Sequence, residues 1–135
     1  MTRMSAEFLD TNVVLYLLYE GSKAERAEHL ISRGGMISVQ VLNETLVNCI
    51  RKAGMSWRET GLFLDSISAL CPVVALTSAT HEIGRVLGER YGFSVHDAMI
   101  VAAALENRCA TLYSEDMRDG LRVEERLKIV NPFKS

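Results

Sequence analysis

The sequence predicts an α/β fold: a three-layer α/β/α domain with a central, mostly parallel sheet of about four to five strands. Three observations carry this. Short apolar runs of strand length alternate along the chain with amphipathic stretches of helix length. The 135 residues, 48% of them apolar, suit one domain (residues 1–135) with a real core. No repeat, low-complexity tract or linker interrupts the alternation. Buried strands alternating with helices imply a parallel sheet covered on both faces.

The elements follow in order. "AEFLD" reads as a strand and residues 11–19 as a helix. "SKAERAEHLISRG" is amphipathic, with Ala24, Ala27, Leu30 and Ile31 on one side and Gly34-Gly35 as its stop. "GMIS" is a brief strand, followed by a helix over 39–53 that Gly54 ends. Residues 56–70 form another helix with Trp57, Leu64 and Ile67 facing inward; "PVVAL" is the next strand. Helices over 78–91, ended by Gly92, and 95–107, capped by Ser94, precede the strands "CATLY" and "LKIVNPF".

Composition excludes several classes. No apolar run approaches a membrane span, and the opening "MTRMSAEF" shows no apolar signal segment. Cys49, Cys71 and Cys109 are odd in number, widely spaced and in apolar contexts, as for buried reduced thiols of a cytoplasmic protein. His29, His81 and His96 lack the spacing of zinc ligands. The net charge of −2 argues, by itself, against a strong nonspecific nucleic-acid binder.

Four acids stand where apolar or neutral residues would be cheaper. Asp10 separates two apolar runs in "EFLDTNVVLYLL"; it could cap the next helix, as could Thr11 or Asn12. Glu44 lies among Val41, Val47 and other apolar residues in "SVQVLNETLVNCI", where it either needs a partner or bends out to solvent. Asp97 fits a capping box with Ser94, yet heads the stripe of Ile100, Val101 and Ala104. Asp116, in "LYSEDMRDG", also reads as ordinary turn chemistry, with Glu115 and Asp119 as neighbours. Asp10 and Asp116 both follow strands, so both belong to the carboxyl edge of the sheet, where ligands bind in such folds.

Together these residues place carboxylates at strand ends and on inward helix faces. Crowded like charges destabilise a fold unless a cation relieves them. Oxygen-only ligands favour Mg²⁺, with Mn²⁺ as substitute, and Mg²⁺ on carboxylates serves phosphate chemistry. Without these four, 13 acids face 15 bases, leaving a surface compatible with local attraction to a nucleic acid. Arg118 and Arg122 are candidates for phosphate contacts.

"FLDTN", Glu44 in the third helix, "HDAMIVAAAL" and "TLYSEDMRDG" resemble the PIN domain family, in particular the toxin ribonucleases of VapC type. The resemblance runs through nearly the whole chain, in order and spacing. It implies a PIN-like α/β domain and a Mg²⁺- or Mn²⁺-dependent endoribonuclease that acts as a toxin. It further implies an RNA substrate, a homodimer and a cognate antitoxin protein. By position, Asp10, Glu44, Asp97 and Asp116 match the family's metal-binding acids. Thr11 and Asn12 match the polar residues that orient the first acid, Ser114 matches the hydroxyl ahead of the last, and Asp119 is placed as a further acid. His96 is read as structural. The helices near 13–31 and 57–70 offer an antitoxin groove or are plain core helices.

Two rivals remain. A haloacid-dehalogenase-type phosphatase needs a second Asp two residues after the first, where this chain has Asn12. A catalytically silent PIN-like module would keep the fold for partner binding only.

Overall fold

The structure is a computed structural model that describes residues 6–134. The stretch before residue 6, where the sequence shows no signal segment, lies outside the described residues. Among the described residues, six strands and six α-helices alternate: β1 (Glu7–Leu9), α1 (Thr11–Leu15), α2 (Ser22–Ser32), β2 (Ile37–Ser38), α3 (Val39–Arg51), α4 (Trp57–Leu70), β3 (Val73–Val74), α5 (Ser78–Tyr91), α6 (Val95–Glu106), β4 (Thr111–Tyr113), β5 (Arg122–Val123) and β6 (Leu127–Val130).

β1, β4 and β6 pair in parallel, and β5 closes the far edge antiparallel to β6, in the order β1-β4-β6-β5. β2 and β3 pair in parallel and join this sheet through a bridge between Met36 and Phe8. Two hydrogen bonds make that bridge: Leu9 N–H to Met36 O at 2.8 Å and Met36 N–H to Glu7 O at 2.8 Å. From β1 the chain therefore steps one way to β2 and β3, then returns to β4 on the other flank of β1. The direction of winding reverses between β1 and β4, and open α/β sheets form their ligand crevice at such a point.

The three-layer α/β/α arrangement with a mostly parallel central sheet is the one the alternation implies. Phe8, Leu9, Leu112, Leu127 and Ile129 are fully buried in the sheet. α6 is buried from Ile100 through Leu105, so a helix rich in Ala and aliphatic residues packs on nearly all sides. No helix among the described residues is long and apolar enough to cross a membrane. Cys49, Cys71 and Cys109 are buried and unpaired, and burial pushes the Cys71 and Cys109 thiols up to about 11.

Three expectations need correction. The helix read over 11–19 is α only to Leu15; Tyr16–Leu18 tighten into a 3₁₀ turn, a common helix ending, before Tyr19 turns extended. Trp57 does not face inward: it opens the first turn of α4 and is 72% exposed, while that helix buries Thr60 and Ile67. β5 had no sequence signal, because two residues show no period. Its hairpin turn places Glu124 and Glu125 at φ 51° and 55°, a geometry usually marked by Asn or Gly.

Gly35, which leads into β2, matters for close approach. A Cβ there would lie 2.7 Å from Cγ of the fully buried Leu9, the residue before Asp10. We expect Gly35→Ala to cost roughly 1–3 kcal/mol by overpacking. Urea unfolding measures this, and an unchanged midpoint would show that Leu9 has room to move.

Candidate active site

Asp10 leaves β1 in an extended conformation and caps α1, its Oδ1 accepting the Thr11 N–H at 2.7 Å. The capping role is thus real, but it uses one oxygen only. Oδ2 accepts from Ser114 Oγ at 2.7 Å and from Asn12 Nδ2 at 3.4 Å. Asp10 is 4% exposed. Burial raises its pKa to about 6; the Ser114 and Thr11 hydrogen bonds oppose this, and the charges of Asp97 and Glu44 add to the rise. Asp10 N–H also bonds Tyr113 O at 3.0 Å, tying the end of β1 to the end of β4.

Glu44 does not bend out to solvent. Ser38 caps α3, and one turn along Glu44 turns toward α1 and α6. Its Oε2 accepts from Thr11 Oγ1 at 2.8 Å and pairs with His96 Nε2; its Oε1 accepts from Gln40 Nε2 at 2.8 Å. Gln40 also donates to the His96 carbonyl at 3.1 Å, linking α3 to the start of α6.

Asp97 uses only its backbone in the cap, its N–H donating to Ser94 Oγ at 3.1 Å. Among the described residues its side chain makes no hydrogen bond or ion pair. Asp116 is exposed, and Asn12 Nδ2 donates to it at 3.2 Å. Asn12 thereby bridges Asp10 and Asp116, while its Oδ1 accepts the Glu115 N–H at 3.1 Å.

The neighbouring acids point elsewhere. Glu115 accepts from Tyr16 Oη at 2.6 Å and from Lys23 Nζ at 2.7 Å. Asp119 accepts the Asn131 N–H at 2.8 Å and pairs with Lys134 at 3.4 Å; it does not line the cleft described next.

Asp10, Glu44, Asp97 and Asp116 come from four separate segments and line one cleft of about 270 Å³. Thr11 and Asn12 share its wall, and Ser114 sits beneath Asp10. In kind, this donor set fits a hard divalent cation. Among the described residues, however, no three His, Cys, Asp or Glu groups stand close enough to form a ready coordination cluster. Glu44 in particular is drawn to His96 and Gln40, so closing the acids on an ion requires side chains to turn inward. Gln40, Asn48 and Lys52 were not singled out from the sequence. Gln40 and Asn48 lie four residues either side of Glu44 on one helix face, a spacing that was the available signal and went unused.

The geometry defines a doubly wound α/β domain with an acidic crevice at its switch point. A family model described as "PIN domain" matches residues 8–123, and the chain belongs to the PIN domain family. No curated protein matches it in sequence. Among solved structures it is similar to a toxin–antitoxin complex from Klebsiella pneumoniae, at 20% identity and a TM-score of 0.72 over 97% of this chain and 100% of that one. It is similar to VapBC2 from Rickettsia felis bound to a promoter DNA fragment (18% identity, TM-score 0.68, 93% and 99% of the two chains). It is also similar to VapC20 from Mycobacterium tuberculosis, titled a sarcin-ricin loop cleaving toxin (19% identity, TM-score 0.64, 79% and 87%). These likenesses show the fold.

Because Asp10 titrates near 6 when folded and near 3.8 otherwise, the folded state holds a proton that the unfolded chain has released between those values. In metal-free buffer Asp10 therefore lowers stability progressively as pH rises from about 4 to 6. The melting temperature of Asp10→Asn relative to the parent is expected to rise across that window; a flat difference would contradict the burial argument. After EDTA treatment, excess Mn²⁺ is expected to raise the parent's melting temperature through binding linkage. Identical melting with and without Mn²⁺ would speak against an ion site.

Proposed function

We propose that the chain is a Mg²⁺-dependent endoribonuclease, with Mn²⁺ able to substitute, that acts as the toxin of a toxin–antitoxin pair. The observation that carries this reading is the convergence of four carboxylates, one of them buried, on one cleft. Family membership supports a nuclease and sets aside the haloacid-dehalogenase reading. In keeping with that, Asn12 serves as a bridge between acids rather than as an acid/base group.

In this reading, Asp10, Glu44, Asp97 and Asp116 hold the cation, Thr11 and Asn12 orient the carboxylates, and Ser114 fixes Asp10. When bound, the ion supplies neutralising charge for the phosphodiester oxygens and a more acidic water. The reaction is hydrolysis: water adds to phosphorus and the bond to the 3′ oxygen breaks. The half-buried walls of the cleft strengthen each charge interaction by limiting solvent. Asp119 serves the loop through Asn131 rather than the ion.

The antitoxin partner and the homodimer rest on the family and on the toxin–antitoxin relatives. Exposed Tyr19, Trp57 and Leu62, on or beside the helices near 13–31 and 57–70, supply apolar surface for a partner segment. Three buried, unpaired thiols support a cytoplasmic location.

Asp97→Asn is expected to abolish RNA cleavage and growth arrest, a loss of at least about a hundredfold, because it weakens the hold on the cation whose charge offsets that of the phosphodiester. Circular dichroism should stay unchanged. A variant that folds and still cleaves at the parent rate would exclude metal catalysis at this cleft. A parent that folds and binds an antitoxin but cuts no RNA would favour the silent module.

A further inference from the structure

A pocket of about 410 Å³ lies away from the acids and shares no lining residue with the acidic cleft. Arg108, shortly before β4, and Arg126, directly before β6, both line it, and both are exposed. β4 and β6 run parallel to β1, so the pocket opens at the amino edge of the sheet, opposite the edge that carries Asp10 and Asp116.

Its floor is apolar: Ile83, Val86 and Leu87 of α5 meet Leu105 at the end of α6. Leu87 and Leu105 are buried, whereas Val86 is 51% exposed and stands uncovered beside the hollow. The volume falls within the range of about 300–1,000 Å³ typical of small-molecule sites, which are also mostly apolar with a few placed polar groups. A stable protein partner would need about 800 Å² of surface on this side. Glu82, Arg85 and Glu89 of α5 are charged and exposed, so the apolar surface ends at the hollow.

Two sharp turns hold the polar groups. After α6 the Asn107 side chain donates to Ala103 O at 2.8 Å, and Arg108 takes φ 56° to lead into β4. In the β5–β6 turn Glu124 and Glu125 take φ 51° and 55°, and the Glu124 N–H donates to Tyr91 Oη at 2.8 Å. Among the described residues, these three are the non-glycine residues at positive φ, and all lie in the two turns that bound this pocket. Such backbone costs free energy and gathers where a site needs it.

The charges do not cancel. Glu124 is paired with Arg90. Arg108 and Arg126 have no carboxylate partner among the described residues, and Glu106 is the remaining acid of the lining. Two guanidinium groups against one carboxylate leave one positive charge in excess at the mouth of an apolar hollow. We propose that this pocket binds a small monoanionic amphiphile, with its aliphatic body on Ile83, Val86 and Leu105 and a carboxylate head between Arg108 and Arg126. A cationic amphiphile adds to the excess charge, and a neutral one leaves it unanswered. The proposal does not rest on the nuclease reading, because the two sites share no residue.

The probe is octanoate, with octanol and octylammonium as neutral and cationic counterparts, each kept below the concentration at which it aggregates. Amide NMR shifts of the full chain are followed through the titration. Octanoate is expected to shift residues 83–87, 105–108 and 124–126 together, and to bind at least about threefold more tightly than octanol, with octylammonium the weakest. An exposed ion pair contributes about two- to fivefold, so Arg108→Ala combined with Arg126→Ala should bring octanoate down to the affinity of octanol. Glu106→Gln should tighten octanoate about twofold. Val86→Glu, at an exposed helix position, should weaken it more than about tenfold. Arg85→Ala, on α5 outside the pocket, should match the parent.

No shift with octanoate, shifts centred on Trp57 and Leu62 instead, or equal affinity for octanoate and octanol would overturn the proposal. Should Val86→Glu fail to fold, as its own spectrum would show, the double arginine variant decides: if it keeps the parent's preference for octanoate, the proposal fails.

Discussion

The pairing of β1 with β4 is the constraint on which the site depends. Leu9 stands opposite Tyr113, and the Asp10 N–H continues the ladder to the Tyr113 carbonyl. Residues far apart in sequence are thereby brought into hydrogen-bond contact, as are Asn12 and Glu115, 103 positions apart. Because winding reverses between these strands, no crossover helix covers their carboxyl ends. The gap left open is the crevice, and α3 and α6 supply its remaining walls.

Within that gap the carboxylates are kept apart by neutral polar groups. Ser114, Thr11 and Asn12 satisfy Asp10 and link it to Asp116, and Thr11 and Gln40 restrain Glu44. Such donors offset part of the desolvation cost without adding charge. A lysine or arginine in their place would neutralise the acids permanently and leave nothing for an ion to bind. Among the described residues, the polar scaffold leaves the Asp97 carboxylate in this gap without a partner of its own, while His96 pairs with Glu44.

Much of the fold was legible because the signals were strong. Strand-length apolar runs, Gly at helix ends and Ser ahead of α6 all correspond to observed elements. What escaped notice had physical reasons. β5 depends on a turn built from two glutamates at positive φ, which local propensity disfavours. Trp57 opens α4 and stays in solvent although Thr60, in the same turn, is buried. At the site, Asp10 and Asp97 were conspicuous by their apolar neighbours. Residue pattern by itself offered no way to rank Glu115, Asp116 and Asp119, since all three occupy one polar loop; only the resemblance singled out Asp116. Their roles separate only through tertiary partners: Tyr16 and Lys23 for the first, Asn131 and Lys134 for the last. His96, read as structural, does join α6 to α3 through Glu44, and does so inside the cleft.

The grip of Tyr16 and Lys23 on Glu115 has an evolutionary consequence. Lys23 belongs to the outer surface of α2, a place where substitutions ordinarily drift freely. Here it anchors the carboxylate adjoining Asp116, so that surface is not free to be rewritten for a new binding partner without disturbing the acid next door. The exterior of α2 and the loop that carries Asp116 are coupled through a single lysine.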